Sequence, residues 1–267
     1  MGFKKADELP LTDECHHYSR VAEVPWDIQK YWHQRYSIFS YYDYDVHLTD
    51  DAWFGVTPEP VANKIAEDLS DLTPDYKTVL IDLFGGAGGN TIAFALSGRW
   101  SRVVAVERDA ATLACAQHNA AVYGVPEGII TWVLGDCFDY VSWLKEQQQD
   151  DPAITDDDGE YDDGKVDLRV DLHSTVFFAS PPWGGVSYRN HDVFDLRLMQ
   201  PYNLTQLHAA CHPYQHALYL PRTSDLRQIA KLAPEGKKVD VVQYCMEGAS
   251  KALVAYVPED SQDSKES

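Results

Sequence analysis

The chain has 267 residues, with 22 Lys and Arg against 42 Asp and Glu, a formal charge of −20, and is 45% hydrophobic and 24% charged. That composition suits a globular α/β protein with room for a large core. It contains no apolar run near the roughly 18–20 residues that span a bilayer and no apolar signal-peptide core at its N-terminus, so no membrane association is expected. Five scattered cysteines (Cys15, Cys115, Cys137, Cys211, Cys245) without a C-x-x-C pair argue against a disulfide framework or a zinc site and for a reducing compartment. The acidic balance argues against a protein that coats nucleic acid along its phosphates.

Residues 1–60 are rich in aromatics (Tyr31, Trp32, Tyr36, Phe39, Tyr41, Tyr42, Tyr44, Trp53 and Phe54) and show no strand–helix repeat. They are expected to form a small helical, partly irregular extension, with His16-His17 in an unstructured terminus. Residues 61–258 are expected to form the main domain. Thr78–Phe84 is a short continuous apolar run of the kind found in buried parallel strands. It runs into Gly85-Gly-Ala-Gly-Gly-Asn90, and Asn90–Leu96 reads as a helix. Arg102–Asp109 is the second strand, and Ala110–Tyr123 is an Ala-rich helix stopped by Gly124. Ile130–Asp136 is the third strand and Tyr140–Gln148 the next helix. Residues 150–171 hold ten carboxylates and two bases, and residues 259–267 hold four acids and one Lys. Both segments lack the apolar content that would offset the entropy of ordering, so a disordered insert and a disordered tail are expected. Ser174–Trp183 is the fourth strand with its exit turn, and His216–Arg222 is the fifth. A helix over Ser224–Leu232 follows, with Ser and Asp at its start. Two final runs flank Gly248 as a hairpin. The order predicts an open, Rossmann-like, mostly parallel sheet with helices on both faces, a C-terminal antiparallel hairpin, and ligands at the carboxyl ends of the strands.

Two motifs carry chemistry. The glycines after the first strand let a ligand approach the backbone, but Asp82 stands where a pyrophosphate would be repelled. An acid there favours a ligand with a cation, such as the α-ammonium group of S-adenosylmethionine. Glu107, ending the second strand, can accept hydrogen bonds from both ribose hydroxyls. Asp136, ending the third, is placed for an adenine amine, and Phe138 for its ring. Asp82, Gly86, Gly88, Asn90, Glu107, Asp136 and Phe138 are therefore the candidate cofactor residues. The second motif is Ser180-Pro181-Pro182-Trp183. Methyl transfer to an exocyclic amine needs two N–H groups held by acceptors such as the Ser180 hydroxyl and the Pro181 carbonyl, and Trp183 can stack on the base. Positioning and electrostatics lower most of the barrier, so no strong base is required.

Lys30–Ala66, the Asp82–Leu96 turn and helix, and Ser180–Tyr188 together resemble the trimethylguanosine synthase family of RNA cap hypermethylases, over roughly Trp26–Val257 apart from the acidic insert. The resemblance implies a class I S-adenosylmethionine-dependent methyltransferase fold with a small helical N-terminal extension that contributes to the cap site. It implies two successive transfers to N2 of an N7-methylguanosine cap on small nuclear or nucleolar RNAs, in the nucleus or nucleolus. It further implies that Trp183 stacks on the methylated base, that Ser180 and Pro181 meet its N2, and that Lys30, Tyr188 and Arg222 hold the phosphates. Phe39 would line the pocket and Thr57-Pro58 close over the cofactor. The chain departs from the family at Gly85, where many members have Cys, and at Thr223, where Asn is common.

N7 methylation makes the guanine cationic, so the face of Trp183 gains a cation–π attraction of roughly 1–2 kcal/mol over an unmethylated base. Two other readings compete. A methyltransferase for adenine N6 or a protein glutamine usually begins this motif with Asp or Asn and lacks the Lys30–Ala66 block. A catalytically inactive cap-binding module would have lost Asp82, Glu107 or Ser180. His208 and His212 have helical i, i+4 spacing but read as an ordinary surface pair, and no metal is expected. A monomer is expected, with small ribonucleoprotein proteins as further partners.

Overall fold

A computed structural model describes residue 3 and residues 5–150, 168–185, 192–246 and 248–260. Most of the acidic insert, most of the acidic tail, and Tyr188 lie outside them. The chain divides into two compact units, Met1–Ser174 and Thr175–Ser267.

The first unit opens with short helical turns: α1 (Gln29–Trp32), α2 (Arg35–Ile38) and α3 (Ala52–Gly55). They are too short to be stable alone and are held by buried aromatics, among them Trp32, Tyr42 and Trp53. The Trp32 indole N–H donates to the Tyr18 carbonyl at 2.9 Å, and the Tyr42 hydroxyl both accepts from the Tyr18 N–H and donates to its carbonyl. The His16-His17 pair is ordered, contrary to the expectation from sequence. His16 makes a backbone bridge to Leu48, and His17 stacks on Tyr42 while its Nδ1 sits 2.9 Å from the Val46 carbonyl.

Helix α4 (Glu59–Asp71) begins after Pro58 and buries Val61, Ala62, Ile65, Ala66 and Leu69 along one face, a spacing of three and four residues that makes one apolar stripe. It packs on α5 (Gly89–Leu96). Strands β1 (Val79–Asp82), β2 (Arg102–Glu107) and β3 (Ile130–Leu134) alternate with α5, α6 (Ala110–Val122) and α7 (Cys137–Asp150). Asp109 caps α6 by accepting from the Ala111 and Thr112 amides. The strands are parallel in the order β3-β2-β1. All four β1 residues are buried, which is why the segment reads as an unbroken apolar run rather than an alternating one. Pairing ends at Asp82, short of the expected Phe84, because the chain then turns into the glycine-rich loop. The edge of β3 is covered by the N-terminus: Lys5 bridges Val133 and the Ala6 amide donates to Trp132 O at 2.8 Å, so the outer backbone groups of β3 are partly paired.

The second unit contains β4 (Thr175–Ala179), α8 (Leu204–Cys211), β5 (His216–Leu220), α9 (Leu226–Ile229), β6 (Asp240–Met246) and β7 (Ala249–Val257). Strands β4 and β5 are parallel, and β7 lies antiparallel between β5 and β6. The expected C-terminal hairpin is therefore present, with Gly248 at a positive φ of 76° in its turn. The helix after β5 starts at Leu226 with Asp225 as its cap and ends in a 3-10 turn, Ala230–Leu232. Asn203 and Gln206 form a capping box at the start of α8.

Candidate active site

In the first unit the carboxyl ends of β1, β2 and β3 carry Asp82, Glu107 and Asp136, as expected. The parallel register sets Asp82 beside Ala105 and Glu107 beside Leu134. Asp82 is fully buried. One of its oxygens accepts from the Thr91 hydroxyl at 2.7 Å and the other from the Phe84 amide at 3.2 Å. Burial pushes its carboxyl up to about 6, against the lowering effect of those two donors, and the Glu107 charge adds to the rise. Glu107 accepts from the Gly86 amide at 3.0 Å and the Asp109 amide at 2.9 Å, and burial raises its carboxyl as well. Gly86 and Gly88 have positive φ, 52° and 96°, a conformation that side chains other than glycine rarely adopt.

Gly89 meets a second requirement. A Cβ there would stand 3.2 Å from both Thr57 O and Val56 Cγ2. Its absence lets residues 56–57 lie against the turn, where the Asn90 side-chain amide donates to the Thr57 hydroxyl at 3.0 Å. Thr57 is thereby held against the glycine turn. Asp136 also serves the fold: its Oδ1 accepts from the Phe138 and Asp139 amides at 2.8 and 3.3 Å, capping α7. Phe138 is half-buried in the first turn of that helix.

Lys30 is exposed on α1 with its ammonium 4.7 Å from the centre of the Tyr31 ring. Phe39 is 2% exposed and presents its ring edge-on to Tyr123 at 5.9 Å, so in this conformation it belongs to the packed interior rather than to an open wall. Sequence reasoning missed the knot beside it. Glu59 accepts from the Ser40 amide and hydroxyl and from the Tyr123 hydroxyl at 2.6–2.9 Å, tying the Phe39–Tyr41 segment to the start of α4. Burial and the Glu59 carboxylate hold the Tyr123 hydroxyl well above its ordinary range. Thr91 and Asn119 were also missed. Asn119 is fully buried in an Ala-rich helix, a polar residue in an apolar setting that was a legible signal.

In the second unit, Ala179 pairs with Leu218, so Ser180 and Arg222 leave parallel neighbouring strands at the same end of the sheet. Ser180 is half-buried, Pro181 is buried and Arg222 is exposed. The Trp183 indole N–H donates to Tyr219 O at 3.3 Å, and the two rings are nearly parallel, 17° apart with centroids at 5.7 Å. Gly184 and Gly185 follow with φ of 83° and 88°. A Cβ on Gly184 would stand 3.0 Å from Gln200 Cβ, so the exit turn is specific to glycine. Past β5, the Ser224 amide and hydroxyl both donate to Pro221 O, and the Phe194 amide donates to Thr223 O. These bonds fix the turn that carries Arg222. Tyr188, expected at the phosphates, lies outside the described residues.

Residues 77–260 match the profile of the RNA cap guanine-N2 methyltransferase family. The chain belongs to that family. It is 33% identical over 257 residues to the trimethylguanosine synthase of Schizosaccharomyces pombe (strain 972 / ATCC 24843), covering 95% of this chain and 94% of that protein. It is 32% identical over 206 residues to the trimethylguanosine synthase of Saccharomyces cerevisiae (strain ATCC 204508 / S288c), covering 76% of this chain and 57% of that one. Among solved structures, a chain from Porphyromonas gingivalis W83 assigned as a methyltransferase superposes with a TM-score of 0.57 at 15% identity, covering 90% of this chain and 52% of its own. The fold is the class I Rossmann-like methyltransferase fold.

As a cap guanine-N2 methyltransferase the chain uses S-adenosylmethionine, and its residues fit that ligand. A buried carboxyl, Asp82, and a half-buried one, Glu107, both raised by burial, flank a glycine turn. Asn90 Oδ1 is a buried acceptor with no partner among the described residues. An unpaired buried acceptor beside carboxylates that resist ionising is stabilised by a cationic donor. The α-ammonium group is such a donor. No helix among the described residues is long and apolar enough to cross a membrane.

Proposed function

We propose that this cap guanine-N2 methyltransferase converts N7-methylguanosine caps of small nuclear and nucleolar RNAs to 2,2,7-trimethylguanosine by two successive transfers to N2. The observation that carries this reading is the exit of β4, where Ser180 and Pro181 precede a half-buried Trp183 held nearly parallel to Tyr219.

Asp82 and Asn90 would hold the cofactor's amino-acid end, Glu107 its ribose, and Asp136 and Phe138 its adenine, with Thr57 and Pro58 over it. When bound, the cofactor supplies an electrophilic methyl group on a sulfonium. Trp183 stacks on the cationic base and fixes its plane. The Ser180 hydroxyl and Pro181 carbonyl accept from the two N2–H groups, which orients the nitrogen lone pair and withdraws it from the ring. The proton lost after transfer passes to solvent, so no side chain with a strongly basic pKa is needed. Lys30, Tyr188 and Arg222 bind the cap phosphates. The rate gain on this account comes from orientation and preorganised acceptors.

The same reading assigns a nuclear or nucleolar location, a monomeric enzyme, and small ribonucleoprotein proteins as further partners. A substrate pair tests it: N7-methylated GpppA is turned over and unmethylated GpppA is not. Equal turnover of the two overturns the proposal.

A further inference from the structure

Away from the residues assigned to cofactor and cap, Asp45, His47 and His118 converge in the first unit. Their ligating atoms all lie within 4.8 Å of one another, and among the described residues they are the one such trio of histidine, cysteine and carboxylate groups found. Asp45 ends a 3-10 turn, Tyr42–Tyr44, in the left-handed conformation with φ 76°. His118 Nε2 lies 2.8 Å from its carbonyl oxygen and 3.2 Å from Oδ2. His47 Nδ1 lies 2.9 Å from the same carbonyl and 3.8 Å from Oδ1. The two imidazoles stand nearly perpendicular, 85° apart with centroids at 4.8 Å, so two ring nitrogens from distant parts of the sequence aim at one residue.

Both histidines are held by their neighbours. The His47 amide donates to Asn119 Oδ1 at 2.8 Å, and Asn119 Nδ2 donates to His47 O at 2.8 Å and to Ala87 O at 3.0 Å. Asn119 is fully buried beside His118 on α6. One buried amide thus positions His47 against α6 and links both to the glycine-rich turn at Ala87.

In a tetrahedral zinc site with bonds of about 2.0–2.1 Å, ligating atoms lie about 3.3 Å apart. The separations of 3.2 and 3.8 Å, to the two oxygens of the Asp45 carboxylate, already approach that value, and rotation of that exposed carboxylate with small adjustments of the half-buried imidazoles closes the rest. Two imidazoles and one carboxylate suit a borderline transition cation. Ca2+ and Mg2+ prefer all-oxygen sets.

We propose that Asp45 Oδ, His47 Nδ1 and His118 Nε2 bind a zinc-like divalent transition cation, with solvent in the fourth position. Each imidazole gives up its hydrogen bond to the Asp45 carbonyl and takes the tautomer with the proton on its other ring nitrogen, so the ligating nitrogen offers a lone pair. The ion fastens the residue 45–47 segment to α6. The proposal revises the sequence expectation of no metal and is independent of the methyl-transfer chemistry.

The test is calorimetric titration of the chelator-treated full-length protein with Zn2+ and with Mg2+, accompanied by thermal melts and by the visible bands of a tetrahedral Co2+ derivative. The expected result is one Zn2+ per chain, a raised Tm, and no response to Mg2+. Asp45→Asn is the cleanest variant because Asn tolerates the left-handed conformation. It and His118→Gln, on a partly exposed helix face, should each weaken Zn2+ binding at least about tenfold and abolish the Tm rise and the Co2+ bands. His208→Gln, in the separate His208–His212–His216 cluster, should leave all three unchanged. Absence of Zn2+ binding by the wild-type chain overturns the proposal. So does binding retained in both Asp45→Asn and His118→Gln.

Discussion

Asp82 is the residue on which cofactor binding turns. Its carboxyl is held at about 6 by burial, above the ordinary aspartate value near 3.9. A raised carboxylate favours the protonated fold, so the ligand-free protein loses this contribution to stability as pH climbs from about 4 through 6. The cationic cofactor needs the ionised form, so its affinity should run the other way and be about tenfold weaker at pH 5 than at pH 7, as about one molecule in eleven is ionised a unit below the pKa. Asp82→Asn should weaken binding and flatten that profile, both read by calorimetry, and an unchanged pH profile would remove Asp82 from the ammonium contact. Trp183 carries the corresponding burden for the acceptor. Trp183→Ala should lower turnover of a capped dinucleotide at least about a hundredfold while cofactor affinity stays constant. It should also remove the roughly 5–30-fold share of the discrimination against unmethylated caps that a 1–2 kcal/mol cation–π attraction supplies. Both residues were legible in sequence, because an acid at the mouth of a glycine turn and an aromatic after Ser-Pro-Pro are chemically unusual. Their supports, Thr91 and Tyr219, were not: each is an ordinary residue whose role appears only when the strands are paired.

At the scale of elements, the glycine turn depends on its neighbours as much as on its own conformation. Gly89→Ala would place a methyl 3.2 Å from Thr57 O and Val56 Cγ2. That contact costs about 1–3 kcal/mol of strain, and the 56–57 segment must move to relieve it. Cofactor affinity should fall, with fold stability dropping by no more than that strain in denaturant melts. Unchanged affinity would separate Thr57-Pro58 from the cofactor. The β-α repeat from β1 to α7 was readable from apolar runs and glycine stops. The ends were less so. Helix α7 starts at Cys137 rather than Tyr140 because Asp136 caps it, a second duty hidden by reading that acid only as a ligand contact. Helix α4 was missed although Val61, Ala62, Ile65, Ala66 and Leu69 lie at helical spacing after Pro58. The short turns α1–α3 carry too few residues for any periodicity, and their aromatic packing comes from the tertiary fold.

For the whole molecule, the net charge of −20 argues against binding along an RNA body and leaves end recognition open. Lys30 and Arg222 are exposed cations assigned to the cap phosphates. With about two phosphates neutralised, the slope of log affinity against log salt should be about −1.4, at roughly −0.7 per phosphate for single strands. Lengthening the RNA behind the cap should leave that slope unchanged, whereas a slope that steepens with length would show contacts along the body. The excess of carboxylates was readable in full, but its distribution was needed to see that much of it falls in residues 150–171 and 259–267.

The most direct measurement of the central claim is mass spectrometry of an N7-methylated capped dinucleotide after incubation with the protein and S-adenosylmethionine. Nuclease digestion would locate the added groups. The account predicts two new methyl groups, both on N2 of the cap guanosine, and none on the unmethylated dinucleotide. Methylation at any other atom, or none on the N7-methylated cap, would contradict it.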